Sequence, residues 1–312
     1  MRNLRPKKSF GQHFLADKNT ARVIAEAATP TPGGTVLEIG PGKGVLTDYL
    51  LQRAARVVAI ERDRELIPYL CEAYFQEITE GKLVLLEDDA ASADWSAALV
   101  RGPRPRTIVG NIPYNITGCL LEIATRQAHE VEVVVFMVQR EVADRMVALP
   151  DSEPYGALSV FLQAAFSIER VRLVRPGAFV PPPRVESVVV RMTPLRPPRA
   201  EETPAFRELV RRAFAARRKT LRNAWKSIFG YSSDKLCACA LAAGVSLDVR
   251  GETLSVEDFD RMAQECTVLG SITTESSPWE AYGERKAHFL RASTPRKRGP
   301  QARPSEVASK KI

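Results

Sequence analysis

Between residues 35 and 138, five short apolar runs alternate with longer stretches of helical periodicity, and this alternation limits the fold more than any other property of the chain. The runs are TVLEI (35–39), RVVAIE (56–61), KLVLLE (82–87), RTIVGN (106–111) and VEVVVFMV (131–138), with VLTDYLLQRA and LIPYLCEAYFQEI among the helical stretches. Strands covered on both faces read as continuous β-branched runs, and parallel neighbours need a helical crossover between them. The rhythm predicts an α/β fold with a doubly wound parallel sheet whose ligand loops lie at the carboxyl ends of the strands. Two more strands are expected at Phe166 to Val174 and in VESVVVRM (185–192), close enough to pair antiparallel. PGAFVPPPR, between them, is expected to be irregular, because consecutive prolines fix φ and remove donors.

With 312 residues, 45% of them hydrophobic, the chain can bury a full core and still form a smaller second domain. MTPLRPPRAEETP (192–204) reads as a linker, and from 205 to about 270 only helical periodicity remains. The expected division is a first domain at 1–195, a small all-helical domain at 196–270, and a basic, disordered tail at 271–312. The net charge of +8 is concentrated at the ends. Residues 291–312 hold seven Lys/Arg against one acid, and the first sixteen hold four against none. A polyanion partner is favoured, although a solvated basic surface would carry the same charge. No apolar run approaches the ~20 residues that span a bilayer, and the N-terminus has no secretory apolar stretch. The protein is expected to be soluble and cytoplasmic, with no membrane. Its five scattered cysteines lack zinc spacing, so reduced thiols and no metal are expected.

The chemistry is concentrated at the strand ends. VLEIGPGKG sets Gly40, Gly42 and Gly44 at a strand-to-helix turn, where the backbone can approach a ligand. A dinucleotide fingerprint would need a third small residue where Val45 stands, so the spacing fits a different ligand. Glu61 ends the second run and can accept from two ribose hydroxyls; the acids of EDDA (87–90) follow the third and can accept from an adenine amine. Asn111 ends the fourth run and opens Asn111-Ile112-Pro113-Tyr114. A carboxamide oxygen and a proline-fixed carbonyl can hold an exocyclic amine without protonating it, while a tyrosine stacks on the base. A turn after a buried strand accounts for those four residues equally well; the order of glycine, acid, acid and amide on successive strands favours a nucleoside with a charged amino-acid arm.

Together, KKSFGQHFL (7–15), EIGPGKG (38–44), AIERD (59–63), EDDA (87–90), GNIPYNI (110–116), PYGALSV (154–160), AFVPPPRVESVVVR (178–191) and RRKTLRN (217–223) resemble the ribosomal RNA adenine dimethyltransferases over roughly residues 5–270. The resemblance implies a class I S-adenosylmethionine methyltransferase: a Rossmann-like, seven-stranded sheet with a small C-terminal helical domain. It further implies a monomer that dimethylates the N6 amines of two adjacent adenosines in the 3′-terminal hairpin loop of small-subunit rRNA, within the immature small subunit. His13, Leu15, Gly40, Glu61, Asp89 and Asn111 would contact the cofactor. Asn111, Pro113, Tyr114 and Phe179 would form the catalytic site, with Tyr114 and Phe179 sandwiching a flipped adenine. The family commonly has asparagine where this chain has His13. A macrolide-resistance (Erm-type) large-subunit enzyme and a noncatalytic nucleic-acid-binding factor on the same fold are the alternatives. PPPRVES and RRKTLRN argue against the first, and the intact strand-end residues against the second.

In FRELVRRAFAARRKTLRNAWKS, Phe206, Val210, Leu221 and Trp225 follow helical spacing, with Arg207, Arg211, Arg222 and Lys226 one residue later and Arg218 continuing the basic set four residues before Arg222. A basic stripe beside a core-facing stripe can track phosphates, so Arg211, Arg218 and Arg222 are candidate RNA contacts.

Overall fold

The computed structural model describes residues 6–7, 11–29 and 31–269. All the apolar runs become strands. In chain order the strands are β1 (Phe14–Leu15), β2 (Thr35–Ile39), β3 (Arg56–Glu61), β4 (Leu83–Glu87), β5 (Arg106–Asn111), β6 (Val133–Gln139), β7 (Phe166–Val174), β8 (Phe179–Val180) and β9 (Ser187–Pro194). Seven of them form one sheet in the order β4-β3-β2-β5-β6-β9-β7. β2 to β6 run parallel, while β9 is antiparallel to both β6 and β7. This is the seven-stranded sheet that the resemblance implies. Its strand order reverses at β2, where the crevice of a doubly wound sheet opens.

Separate apolar layers cover the two faces of the sheet. Helix Lys18–Ala28 buries Ala21, Ile24, Ala25 and Ala28, a one-sided helical stripe, in the layer that also holds Leu50, Leu70 and Tyr74. Trp95, Leu99, Leu120, Leu121 and Phe136 belong to the other. Asp17 starts the first helix by accepting from the backbone of Asn19 and Thr20.

Two expectations need correcting. PGAFVPPPR is not irregular throughout: Pro176–Ala178 is one 3-10 turn, and Phe179–Val180 pairs antiparallel with Phe14–Leu15 as a second, two-stranded sheet. The prolines begin only at 181, so Phe179 and Val180 keep their backbone donors. Nor is the basic stripe carried on one helix. A helix spans Pro204–Ala215, a short one spans Leu221–Ala224, and residues 216–220 turn between them. The turn is fixed by partners far away in sequence. Arg217 donates to the Glu153 and Tyr155 carbonyls, and the Leu221 and Arg222 amides donate to the Val249 and Leu247 carbonyls. Phe206, Val210, Leu221 and Trp225 are nevertheless all fully buried. Helices Ser233–Ala243 and Val256–Leu269 complete the helical part. The expected tail lies outside the described residues.

Candidate functional site

Register brings the four chemical strand ends side by side. Ile39 pairs with Ile60 on one side and Gly110 on the other, and Glu61 pairs with Glu87, so Gly40, Glu61, the acids after β4 and Asn111 follow one another across the sheet. A single cavity is lined by His13, Leu15, Gly40, Glu61, Asp89, Asn111, Pro113 and Tyr114. All but one of the expected cofactor and catalytic residues are thus together.

Phe179 is the exception. It is only 2% exposed and packs in the core layer with Phe14 and Leu15, where its backbone is paired with Leu15. Phe179 does not line the cavity beside Tyr114. The ring stacked with Tyr114 is His13, at 5.6 Å between centroids and 27° between planes. The imidazole Nδ1 lies 2.9 Å from the Pro181 carbonyl.

Each glycine of the turn has a different task. Gly40, at φ +69°, faces open space: an added Cβ would meet no heavy atom within 4 Å. Gly44, at φ +83°, is required by packing, since a Cβ there would lie 2.1 Å from the Tyr74 hydroxyl. That hydroxyl donates to the Gly44 carbonyl at 2.8 Å and the Asp48 carboxylate at 2.6 Å.

The carboxylates of the wall are held in defined orientations. Glu61 accepts from the Asp63 amide at 2.8 Å and the Gly42 amide at 3.1 Å, while burial pushes its carboxyl above the ordinary range. Each oxygen keeps a lone pair for a further donor. Asp89 accepts from the Ala91 amide at 3.0 Å and faces Arg62 at 3.3 Å. Asn111 donates through Nδ2 to the His13 carbonyl at 2.9 Å, which leaves Oδ1 as its acceptor. The Pro113 carbonyl already accepts from the Ile116 amide and the Thr117 hydroxyl, at 3.2 and 3.1 Å. Tyr114 is anchored by its hydroxyl, 2.7 Å from Ser187 Oγ.

Several site residues escaped the sequence reading. Glu38 lines the cavity at 1% exposure, with Oε2 accepting from Thr47 at 2.8 Å and Oε1 without a partner. Burial pushes its carboxyl up to about 8. An acid inside the apolar run TVLEI was the available clue. Asp63 ties down the N-terminal arm, with Lys7 Nζ at 2.5 Å and Gln12 Nε2 at 2.9 Å. Ser187, fully buried at the start of β9, could not be linked to Tyr114 without the sheet order.

The expected RNA contacts differ in availability. Arg211 faces Glu208 at 3.4 Å, and Arg222 faces Asp248 at 3.0 Å. Arg218 is exposed, with no ion-pair partner among the described residues. No group of three or more His, Cys, Asp or Glu that could hold a metal occurs among the described residues, and no described helix is long and apolar enough to cross a membrane.

A family model described as ribosomal RNA adenine dimethylase matches residues 3–267. Ribosomal RNA small subunit methyltransferase A of Syntrophotalea carbinolica is 44% identical over 264 residues, covering 84% of this chain and 97% of its own. The protein of that name from Synechococcus elongatus is 41% identical over 276 residues, covering 86% and 96%. Among solved structures, a dimethyladenosine transferase from Plasmodium falciparum is similar with a TM-score of 0.72 and 25% identity, over 83% of this chain and 98% of the other. The 23S rRNA methyltransferase ErmE is similar at 0.59 and 27%, over 81% and 98%.

Proposed function

The chain belongs to the ribosomal RNA adenine dimethylase family, and we propose that its cavity holds S-adenosylmethionine beside an adenine flipped out of small-subunit rRNA. It is an S-adenosylmethionine-dependent rRNA adenine dimethyltransferase of the small subunit. The observation that carries the reading is the convergence of Gly40, Glu61, Asp89, Asn111 and Tyr114 on one cavity across adjacent strands. We assign as substrate two adjacent adenosines of the 3′-terminal hairpin loop, presented by the immature small subunit to a cytoplasmic monomer. The large-subunit reading is weaker, because relatives at 41 to 44% identity are named small-subunit methyltransferases, whereas the 23S rRNA methyltransferase ErmE is 27% identical.

The cavity suits this cofactor. Open space over the Gly40 backbone would admit its methionine arm, Glu61 has lone pairs left for ribose hydroxyls, and the unpartnered Oε1 of Glu38 is a buried polar group in the same wall. Asp89 would accept from its adenine amine, while His13 and Leu15 close the side formed by the N-terminal arm. When bound, the cofactor supplies an electrophilic methyl group on a sulfonium.

Everything else is positioning. The lone pair of an adenine amine is delocalised into the ring, so the amine is a poor nucleophile until acceptors draw it toward tetrahedral geometry. Asn111 Oδ1 takes one N–H. With the Pro113 carbonyl already committed to two donors, the second acceptor is the Ile112 carbonyl, and Pro113 acts by fixing it. Tyr114 stacks on the base. No strong base is required, because the alkylated amine loses its proton readily, and a neutral amide still holds the single N–H left after the first transfer. Pre-set geometry supplies the rate, and the target has to leave its strand to reach it.

We further assign residues 1–195 to cofactor binding and catalysis and 196–270 to RNA binding through Arg211, Arg218 and Arg222. The test is methylation of small subunits that lack the two dimethyladenosines, read by primer extension across both positions. Stops at both, dependent on the cofactor, are expected; no stop at either position would overturn the assignment. Glu61→Ala should weaken cofactor binding by on the order of 1.5 to 3 kcal/mol, and unchanged affinity in calorimetry would remove Glu61 from the site.

A further inference from the structure

A loop that starts on one of the stacked rings and ends on the other flanks the mouth of the site. Its first anchor is the Pro181 carbonyl, 2.9 Å from His13 Nδ1. Its second is Ser187, whose hydroxyl lies 2.7 Å from the Tyr114 hydroxyl. Pro181, Pro182, Arg184 and Val185 between them are exposed, and so is Val180 just before. Val180 and Val185 are 58% and 43% exposed. The only acid of the loop, Glu186, is matched by Arg140 at 2.7 Å.

Cations of this region differ in whether they are paired, and Arg172 stands near Asp17. On neighbouring strands, Arg170 faces Asp144 at 2.7 Å and Arg191 faces Glu169 at 3.2 Å. Arg175 and Arg184 are exposed and have no ion-pair partner among the described residues. Arg175 heads the turn whose Ala178 carbonyl accepts from the Ala16 and Asp17 amides, at 2.8 and 3.2 Å, directly behind the rim residues Phe14 and Leu15. The two uncompensated guanidinium groups therefore lie at either end of the segment that borders the mouth.

We infer that residues 175–185 dock the RNA strand flanking the target adenine, with Arg175 and Arg184 on backbone phosphates and Val180, Pro182 and Val185 against a neighbouring sugar or base. A base brought to Tyr114 pulls its own phosphates to the rim, where unpaired guanidinium groups bind phosphate bidentately. The prolines hold the loop in shape beforehand, so ordering it on binding costs little. This surface rests on the reading of the site as an RNA adenine methyltransferase, and is separate from the arginines of residues 196–270.

The test uses the full chain and small subunits lacking the two dimethyladenosines. The wild-type protein must first methylate them, which checks the reading itself. Arg175→Glu/Arg184→Glu should then raise KM for the subunits roughly tenfold or more at low salt, and flatten the log–log salt dependence by about one to two. kcat and the calorimetric Kd for S-adenosylmethionine should stay within twofold, and Arg175→Lys/Arg184→Lys should restore the salt dependence. An unchanged KM and salt slope would overturn the inference. A fall in kcat at constant KM would also overturn it, because the loop would then serve the cofactor site and not the strand.

Discussion

The side-chain amide of Asn111 donates at 2.9 Å to the backbone carbonyl of His13, 98 residues earlier in the chain. One contact thereby fixes the orientation of the carboxamide, leaving Oδ1 as its acceptor, and holds the N-terminal arm against β5. Asn111→Ala should reduce single-turnover methyl transfer by about 100-fold or more while the protein remains folded. Asn111→Asp should be equally inactive, since a carboxylate cannot donate to the His13 carbonyl. Retention of activity by the aspartate variant would show that the orientation of the amide is irrelevant.

Tyr114 offers a separate test, because its ring and its hydroxyl do different things. Tyr114→Phe keeps the plane but leaves the fully buried Ser187 hydroxyl without its partner, at about 1 to 3 kcal/mol of stability. Its kcat/KM should stay within about tenfold of wild type, and adding Ser187→Ala should restore part of the lost stability. Tyr114→Ala removes the stack and should cost about 10- to 100-fold in kcat/KM. Equal loss of activity in the phenylalanine and alanine variants would assign the function to the hydroxyl.

Glu38 makes stability depend on pH. Burial raises its carboxyl in the folded protein to about 8 from 4.5, so the unfolded state releases its proton first as the pH rises. Its contribution is complete below pH 4.5 and is lost progressively as pH rises through about 8. Glu38→Gln mimics the protonated form. In urea titrations the variant should gain on wild type between pH 5.5 and 8 by up to about 1.4 kcal/mol per pH unit. A difference that does not vary with pH would mean that the carboxyl is already ionised in the folded state.

Charge reversal of Arg211, Arg218 and Arg222 should weaken binding to small subunits steeply at low salt and leave cofactor affinity unchanged. Of the single variants, Arg218→Glu should have the largest effect. Arg211 and Arg222 must first give up Glu208 and Asp248, although such solvent-exposed pairs are weak. Filter binding across a salt series ranks the three.

The strand ends were legible because each follows an apolar run, and adjacent parallel strands in register align their ends. Gly40, Glu61, Asp89 and Asn111 could thus be read from four separate places in the chain. Pairing across long separations was not legible. Two-residue strands such as Phe14–Leu15 and Phe179–Val180 have no periodicity to betray them, and only their mutual pairing buries Phe179. The turn at 216–220 contains neither glycine nor proline, and is imposed by carbonyls at 153, 155, 247 and 249. The stacking of His13 on Tyr114 likewise depends on where the arm lands, which the composition of the arm does not encode.

The pairing of Phe14–Leu15 with Phe179–Val180 also sets a timetable for biosynthesis. A chain emerging from its N-terminus completes β2 to β5, with Gly40, Glu61, Asp89 and Asn111 at their ends, before the partner of β1 exists. The segment Phe14–Leu15 waits unpaired until residue 180 has been made, so a nascent chain that already carries Gly40, Glu61, Asp89 and Asn111 at finished strand ends still lacks one side of the cavity.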